Sequence, residues 1–169
     1  MEKQDIILNV VIFAAVFVLA YLFAGWVNSQ NAYLFDFKII ANGKPVDALK
    51  DVFNKNTSLV LRQELTAGNS SANRAVLFVT SELIFAASTT GTKVYNYGII
   101  NGVPLNVSCT VNNSFCGAPD ITVRVEEKPD ACNCILVHSN HTMEIIGSTD
   151  FLTEKSANIR KIVYLARTA

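Results

Sequence analysis

The chain has 169 residues, with 14 basic and 14 acidic side chains and no formal net charge. A neutral chain without a basic stripe offers no electrostatic basis for binding nucleic acid. Half of the residues are hydrophobic, and about 140 residues follow an apolar N-terminal run, which is enough for one ordinary domain.

The first predicted element is an uncharged run from Ile6 to Val27. A helix of this length spans roughly 30 Å, the thickness of the hydrocarbon core of a bilayer. The run is longer than the apolar stretch of a secretory signal peptide, and acids outnumber the single lysine, Lys3, in the residues before it. The sequence therefore predicts a cytoplasmic N-terminus over residues 1–5, a transmembrane signal-anchor helix over 6–27, a short spacer over 28–33 and one extracytoplasmic domain over 34–169.

The first half of the domain alternates between strand and helix patterns. The alternation of Phe35, Phe37 and Ile39 predicts a first strand with these side chains on one face. Residues 71–87 are apolar almost all round, and their length favours a buried helix over a long strand. The predicted elements of this half are strands over residues 34–41 and 58–65 and helices over 46–54 and 71–87.

The second half carries two hairpin signals. Asn101-Gly102 lies between two apolar runs and predicts a tight turn, and Pro104 places the returning strand at a sheet edge. Ser139-Asn140 marks the second turn. The predicted strands cover residues 94–100, 103–109, 121–126, 132–138 and 141–147, and an amphipathic helix over 149–166 turns Leu152, Ile159, Ile162, Val163 and Ala166 toward the core.

Alternating strands and helices followed by hairpins are typical of a mixed sheet with helices packed on it. We therefore expect a membrane-anchored α/β (α+β) protein. It would have one N-terminal transmembrane helix and then a single mixed-sheet domain with about three helices and two β-hairpins.

Two features place the predicted domain outside the cytoplasm. The first is a set of five Asn-x-Ser/Thr triplets, an excess over chance for this composition, which fit the glycosylation acceptor pattern. The second is an even number of cysteines, all within the domain, which is typical of disulfides formed in an oxidising compartment. The triplets begin at Asn56, Asn69, Asn106, Asn112 and Asn140, and the cysteines are Cys109, Cys116, Cys132 and Cys134.

The cysteine spacing suggests how the disulfides pair. In a regular strand Cys132 and Cys134 would lie about 6.6 Å apart and point the same way, which is a poor geometry for bonding to each other. We therefore expect each of them to bond to Cys109 or Cys116. Such a bond would pin the loop after residue 109 onto the next strand and stabilise the domain by roughly 3 kcal/mol.

A stretch of ten residues contains four possible metal ligands: Cys132, Cys134, His138 and His141. Such a density is typical of metal sites. In an extended strand Cys134 and His138 would be about 13 Å apart, too far to share one ion. His138 and His141 alone remain as a weak candidate pair for an adventitious metal. The spacings Cys-x6-Cys and Cys-x-Cys lack the usual zinc knuckle, so neither a physiological metal nor a cofactor is predicted.

Motifs for catalysis are also lacking in the sequence. No glycine-rich phosphate loop and no nucleophile elbow is present, and the Cys-x-x-Cys spacing of thiol-redox enzymes is replaced by Cys-x-Cys. No catalytic residue is therefore predicted.

The leading functional hypothesis is a single-pass, membrane-anchored exterior protein that acts as a structural or interaction subunit of a cell-surface or membrane complex. Its expected partners are the lipid bilayer and other membrane or surface proteins, or further copies in a homo-oligomer. An alternative is an extracytoplasmic enzyme or small-ligand-binding domain, which would show a concave pocket with convergent polar groups at strand ends. A thiol-redox protein is the third hypothesis. Pilins also begin with an apolar helix, but residues 2–5 do not form the processing site that precedes it, so a filament subunit is a less favoured variant.

Overall fold

The computed structural model describes residues 12–20, 33–54, 58–105 and 118–168. Residues 12–20 form a helical segment, and the remaining described residues form one α/β unit. Its helices are α1 (Pro45–Asn54), α2 (Ser70–Thr89) and α3 (Thr149–Thr168), and its strands are β1 (Tyr33–Leu34), β2 (Phe37–Ala41), β3 (Ser58–Leu65), β4 (Lys93–Ile100), β5 (Val103–Pro104), β6 (Ile121–Val125), β7 (Cys134–Val137) and β8 (Met143–Gly147).

All of these strands belong to one mixed sheet in the order β1-β2-β7-β8-β6-β3-β4-β5. Strands β8, β6, β3 and β4 are parallel neighbours, and β2 and β7 form a second parallel pair. The two groups meet at the antiparallel pair of β7 and β8. The carboxyl ends of β2 and β7 therefore lie on one side of the sheet, where the strands end, and the carboxyl ends of β3, β4 and β6 lie on the opposite side.

The core lies between the sheet and a single layer of helices. Ile39, Ile135, Ile145 and Val123 are buried neighbours in register across β2, β7, β8 and β6. α3 packs against both α1 and α2, and all three helices contribute to the same buried cluster on this face of the sheet. Alternation along the strands turns the intervening side chains to the other face of the sheet.

Most of the predicted elements are confirmed. The helices predicted over residues 46–54, 71–87 and 149–166 correspond to α1, α2 and α3, and all five side chains assigned to the core face of α3 are buried. Both hairpins form, because β4 pairs antiparallel with β5 and β7 pairs antiparallel with β8. Pro104 lies in the edge strand β5 as expected, whereas residues 106–109 of that predicted strand lie outside the described residues.

The strand predicted over residues 34–41 is wrong in its first half. Phe35 and Asp36 adopt positive φ angles of 50° and 73°, so they reverse the chain between β1 and β2. Contacts from α3 hold this left-handed pair: the side-chain amide of Asn158 donates to the Phe35 carbonyl at 3.1 Å, and the Lys155 ammonium lies 3.2 Å from the Asp36 carboxylate. Positive φ angles at residues other than glycine strain the backbone, and tertiary contacts must offset this strain. The strand periodicity of the sequence does not reveal the turn.

The predicted transmembrane helix also needs a correction. In the described part of the predicted span 6–27, residues 12–20 are helical. Within the described residues no helix combines the length and the apolar character needed to cross a membrane. The membrane-anchored part of the predicted fold class is therefore wrong, while the mixed α/β sheet is confirmed. Residues 1–11 and 21–32 lie outside the described residues.

We expect Ile145→Ala to lower the free energy of unfolding by about 2–5 kcal/mol, because the substitution leaves a cavity among the buried neighbours of β2, β7, β8 and β6. Ile145 has no exposed surface. The measurement is urea unfolding, in which the midpoint should fall at an unchanged slope. The control is Val103→Ala in the edge strand, where 65% of the side chain is exposed and the change should stay within about 0.5 kcal/mol. Equal midpoints for the two variants would contradict this placement of the core.

Candidate functional site

Over residues 77–85 the side of α2 that points away from the core is apolar, and the exposed Arg74 lies one turn before it on the same side. Leu77, Phe78 and Phe85 are 44–50% exposed there, and Ser81 lies between them on the same side of the helix. We call these four residues the α2 outer face. A helix that covers a sheet normally presents polar side chains to solvent, and contiguous exposed apolar side chains mark interaction sites.

A charged pair borders the α2 outer face on the side of α3. The Arg160 guanidinium lies 4.3 Å from the centre of the Phe85 ring, and its Nε donates to Glu82 Oε2 at 2.7 Å. This hydrogen bond raises the pKa of Arg160, so the guanidinium stays charged. The cation holds one side of the Phe85 ring in place and gives the apolar surface a polar rim.

The α2 outer face can be covered without leaving a polar group unsatisfied. Its hydroxyl group, on Ser81, donates to the Leu77 carbonyl within the helix at 2.8 Å. A buried donor without a partner costs about 1–3 kcal/mol, and this one already has a partner. The small Ser81 side chain lies between those of Phe78 and Phe85 along the helix.

Local hydrogen bonds fix where α2 begins. The Asn69 side-chain oxygen accepts from the backbone N–H of Ala72 at 3.0 Å, which makes Asn69 the N-cap. Asn73 exchanges two hydrogen bonds with the backbone of Thr66, just after β3. Capping gives Asn69 a structural role that is independent of its place in a predicted glycosylation triplet.

A second feature is a cavity of about 410 Å³ at the carboxyl ends of β2 and β7. Its walls are the loop after β2, the first turns of α1 and the tip of the β7–β8 hairpin. Carboxyl ends of parallel strands are common ligand sites in α/β sheets. Polar groups of both charge signs line it: Lys44, Asp47, Asp51, His138, Ser139 and His141.

The structure brings His138 and His141 to the same cavity but gives their rings different partners. His138 Nε2 lies 3.2 Å from Glu144 Oε1, whereas His141 Nδ1 lies 3.9 Å from Asp51 Oδ2. Across the described ranges of the chain, no group of three or more His, Cys, Asp or Glu side chains is placed to hold a metal ion. What the cavity offers is therefore a polar wall of imidazoles, carboxylates and one ammonium.

A smaller cavity of about 330 Å³ lies at the opposite edge of the sheet, beside the ends of β3, β4 and β6. Its charged side chains already have partners: Glu64 accepts from Arg62 at 2.7 Å, and Arg124 lies 3.5 Å from Glu144. This compensation makes it a weaker candidate than the cavity beside the histidines.

The expected disulfide pairing is wrong for two of the cysteines. Cys132 and Cys134 are bonded to each other, with their Cα atoms 5.2 Å apart. The prediction placed both in one extended strand, whereas β7 begins only at Cys134, and the irregular chain before it brings Cys132 closer. Cys109 and Cys116 lie outside the described residues.

The remaining glycosylation candidates stay predictions. Asn140 is exposed at the hairpin tip, and its side-chain oxygen accepts from the Thr142 hydroxyl at 2.7 Å. This bond joins the first and third residues of the triplet and is typical of a tight polar turn. Asn56, Asn106 and Asn112 lie outside the described residues.

Sequence reasoning missed the α2 outer face, although it had a signal for it. The pattern over residues 71–87 is apolar almost all round, and it predicts a helix buried on every side; the structure leaves one side exposed. Of the residues that line the cavity, the sequence singled out only His138 and His141, because Asp51 and His141 are 90 positions apart and meet only through the pairing of β2 with β7. No protein-family model, curated protein or solved structure matches the chain.

We expect tryptic digestion without reductant to release residues 125–155 as one peptide, two hydrogens lighter than its reduced form, because this peptide contains both Cys132 and Cys134. Mass spectrometry before and after reduction provides the measurement. The pairing expected from sequence would instead link this peptide to residues 94–124, which carry Cys109 and Cys116. Recovery of that linked pair would contradict the bond described above.

Proposed function

We propose that this protein is a non-catalytic interaction subunit of a surface complex, and that it binds a partner protein through the α2 outer face. The observation that carries the proposal is the exposure of Leu77, Phe78 and Phe85 on one side of a helix whose other side is fully packed. Two aromatic anchors and a leucine in one cluster are the composition expected at the centre of an interface.

The surroundings of the α2 outer face support a specific interface. The Glu82–Arg160 pair at its border would exclude water from the edge of the contact, as polar rims do around the residues that contribute most to binding. A helix with exposed apolar side chains is best covered by another apolar helix. The expected partner element is therefore an apolar helix that lies along α2.

The Cys132–Cys134 disulfide supports a location in an oxidising compartment, outside the cytoplasm. The predicted glycosylation triplets favour the same location. An exterior domain with an uncovered apolar helix face fits a subunit that is held in a larger assembly.

We expect a photo-reactive amino acid at position 77, in the full chain expressed in cells, to form an adduct heavier than the 18.5 kDa chain. The matched control is the same amino acid at position 154 on α3, where the glutamate side chain is 72% exposed, and it should give no comparable adduct. Phe78→Ser should weaken adduct formation about tenfold or more and lower the free energy of unfolding by only about 1 kcal/mol, because the side chain is 44% exposed in the folded chain. Equal adduct yields from positions 77 and 154 would refute the proposal.

A second candidate function is the binding of a small polar ligand in the cavity beside the histidines. The observation that favours it is the convergence of Lys44, Asp51 and His141 on a concave space at strand ends, which is the arrangement expected of a ligand site in an α/β sheet. The mixture of donors and acceptors suits a ligand that carries both kinds of group.

The two histidines of the chain provide the test, because each gives its own imidazole proton signals in NMR. We expect at least one of four probes (inorganic phosphate, acetate, glycine or glucose) to shift both sets of signals in a saturable way. Asp51→Ala should change the apparent affinity, and Asp150→Ala, an exposed position on α3, should not. Signals that no probe moves, or that move without saturation, would remove this candidate.

A further inference from the structure

We propose that the Cys132–Cys134 disulfide is a thiol–disulfide exchange site, which accepts two electrons from a dithiol. This reaction assigns the thiol-redox chemistry that the sequence leaves open to one particular bond. It is stoichiometric, so it adds to the proposed interaction role and does not depend on it. Two observations carry the proposal: the bond closes a very short loop, and its two cysteines differ in burial.

The bond contributes little to the stability of the fold. Its two cysteines are separated by Asn133 alone, and a disulfide that closes so short a loop removes little conformational freedom from the unfolded chain. The loop is also held without the bond. The Asn133 carbonyl accepts from the Lys38 backbone N–H at 3.4 Å, and the Asn133 side-chain oxygen accepts from the Ser148 backbone N–H at 3.1 Å. The strands beside the loop therefore stay in place when the bond opens.

The two ends of the bond differ in accessibility. Cys132 is half-buried in the irregular chain before β7, whereas Cys134, the first residue of β7, has no exposed surface. Exchange begins when a thiolate from solvent reaches one sulfur of the bond. Because only Cys132 offers a surface to solvent, the attack occurs on Cys132 Sγ and releases the sulfur of Cys134.

A lysine beside Cys134 stabilises the charge that this attack places on its sulfur. Cys134 lies in register between Lys38 of β2 and Ile146 of β8, so the three side chains project from the same face of the sheet. Burial alone would disfavour a thiolate at this position, whereas a neighbouring cation favours one. The Lys38 ammonium offsets the cost of burial and makes Cys134 the better leaving group.

The exchange balances in two steps. In the first, a substrate thiolate forms a bond to Cys132 Sγ, the bond between the two cysteine sulfurs breaks, and its electron pair leaves on Cys134 Sγ, which takes up a proton. In the second, the other thiolate of the substrate attacks the substrate sulfur of this mixed disulfide and displaces Cys132 Sγ, which is also protonated. The substrate becomes a disulfide, and the two cysteines become thiols. A low-molecular-weight disulfide such as glutathione disulfide can reverse the reduction in an oxidising compartment.

The first test measures the equilibrium on the full, folded chain. The chain is incubated in a glutathione buffer at the potential of an oxidising secretory compartment, quenched with acid, alkylated with N-ethylmaleimide and digested with trypsin. Mass spectrometry then gives the reduced fraction of residues 125–155, the peptide that contains both cysteines. We expect about a tenth or more of this peptide to be reduced, because accessible disulfides are more oxidising than structural ones, and the far-UV circular dichroism should not change. A smaller reduced fraction, or loss of structure together with the bond, would overturn the proposal.

The second test identifies the accessible sulfur. Cys134→Ala leaves Cys132 as a thiol, Cys132→Ala leaves Cys134 as a thiol, and glutathione disulfide is added to each folded variant. We expect residues 125–155 to gain one glutathione about tenfold faster or more in Cys134→Ala, because its remaining sulfur is the accessible one. The matched control is the same pair of variants in urea, where burial is lost and the two rates should be similar. Equal rates in the folded variants, a faster reaction of Cys132→Ala or no glutathione on either variant would contradict the assignment.

Discussion

The structure depends on the contact between one face of the sheet and a single layer of helices. The buried row through Ile39, Ile135, Ile145 and Val123 joins two groups of strands that run in opposite directions, and the helices supply its cover. Because no second helix layer is present in the described part of the chain, each helix turns one side to solvent. That side should be polar in α1, α2 and α3 alike, which makes the departure in α2 informative.

The helices of the layer differ in how they meet this requirement. α1 exposes Asp47 and Asp51, and α3 exposes Glu154 and Lys161, so both have a polar outer side. α2 instead has apolar residues on both sides, and the inner side gains more stability from burial when the chain folds. The outer side chains are about half exposed in the folded chain, so they contribute less to the free energy of unfolding than fully buried side chains and raise the tendency to associate. The inner side of the helix therefore contributes more to stability, and the outer side more to association.

Local periodicity was enough to predict most of the fold. The spacing of Leu152, Ile159 and Ile162 identifies the buried side of α3, and Asn101-Gly102 identifies a hairpin. Each of these signals is made by residues that are close together in the sequence. The failures required information from distant residues. The turn at Phe35 depends on Asn158. The cavity likewise requires strand pairing that hydrophobic patterns do not encode, and the apolar pattern of α2 cannot tell a side that packs in its own chain from a side that packs on another.

The face of the sheet opposite the helices provides a comparison for α2, although Thr122, Cys134 and Ile146 on that face are buried. Several charged side chains on that face pair within the chain: Arg62 pairs with Glu64, and Glu144 lies between Arg124 and His138. Exposed pairs of this kind contribute little to stability, but they keep the face well solvated without another molecule. The α2 outer face has no equivalent internal compensation, because water is a poor partner for two phenylalanine rings and a leucine. Association at the α2 outer face would therefore lower the free energy by removing this apolar cluster from water.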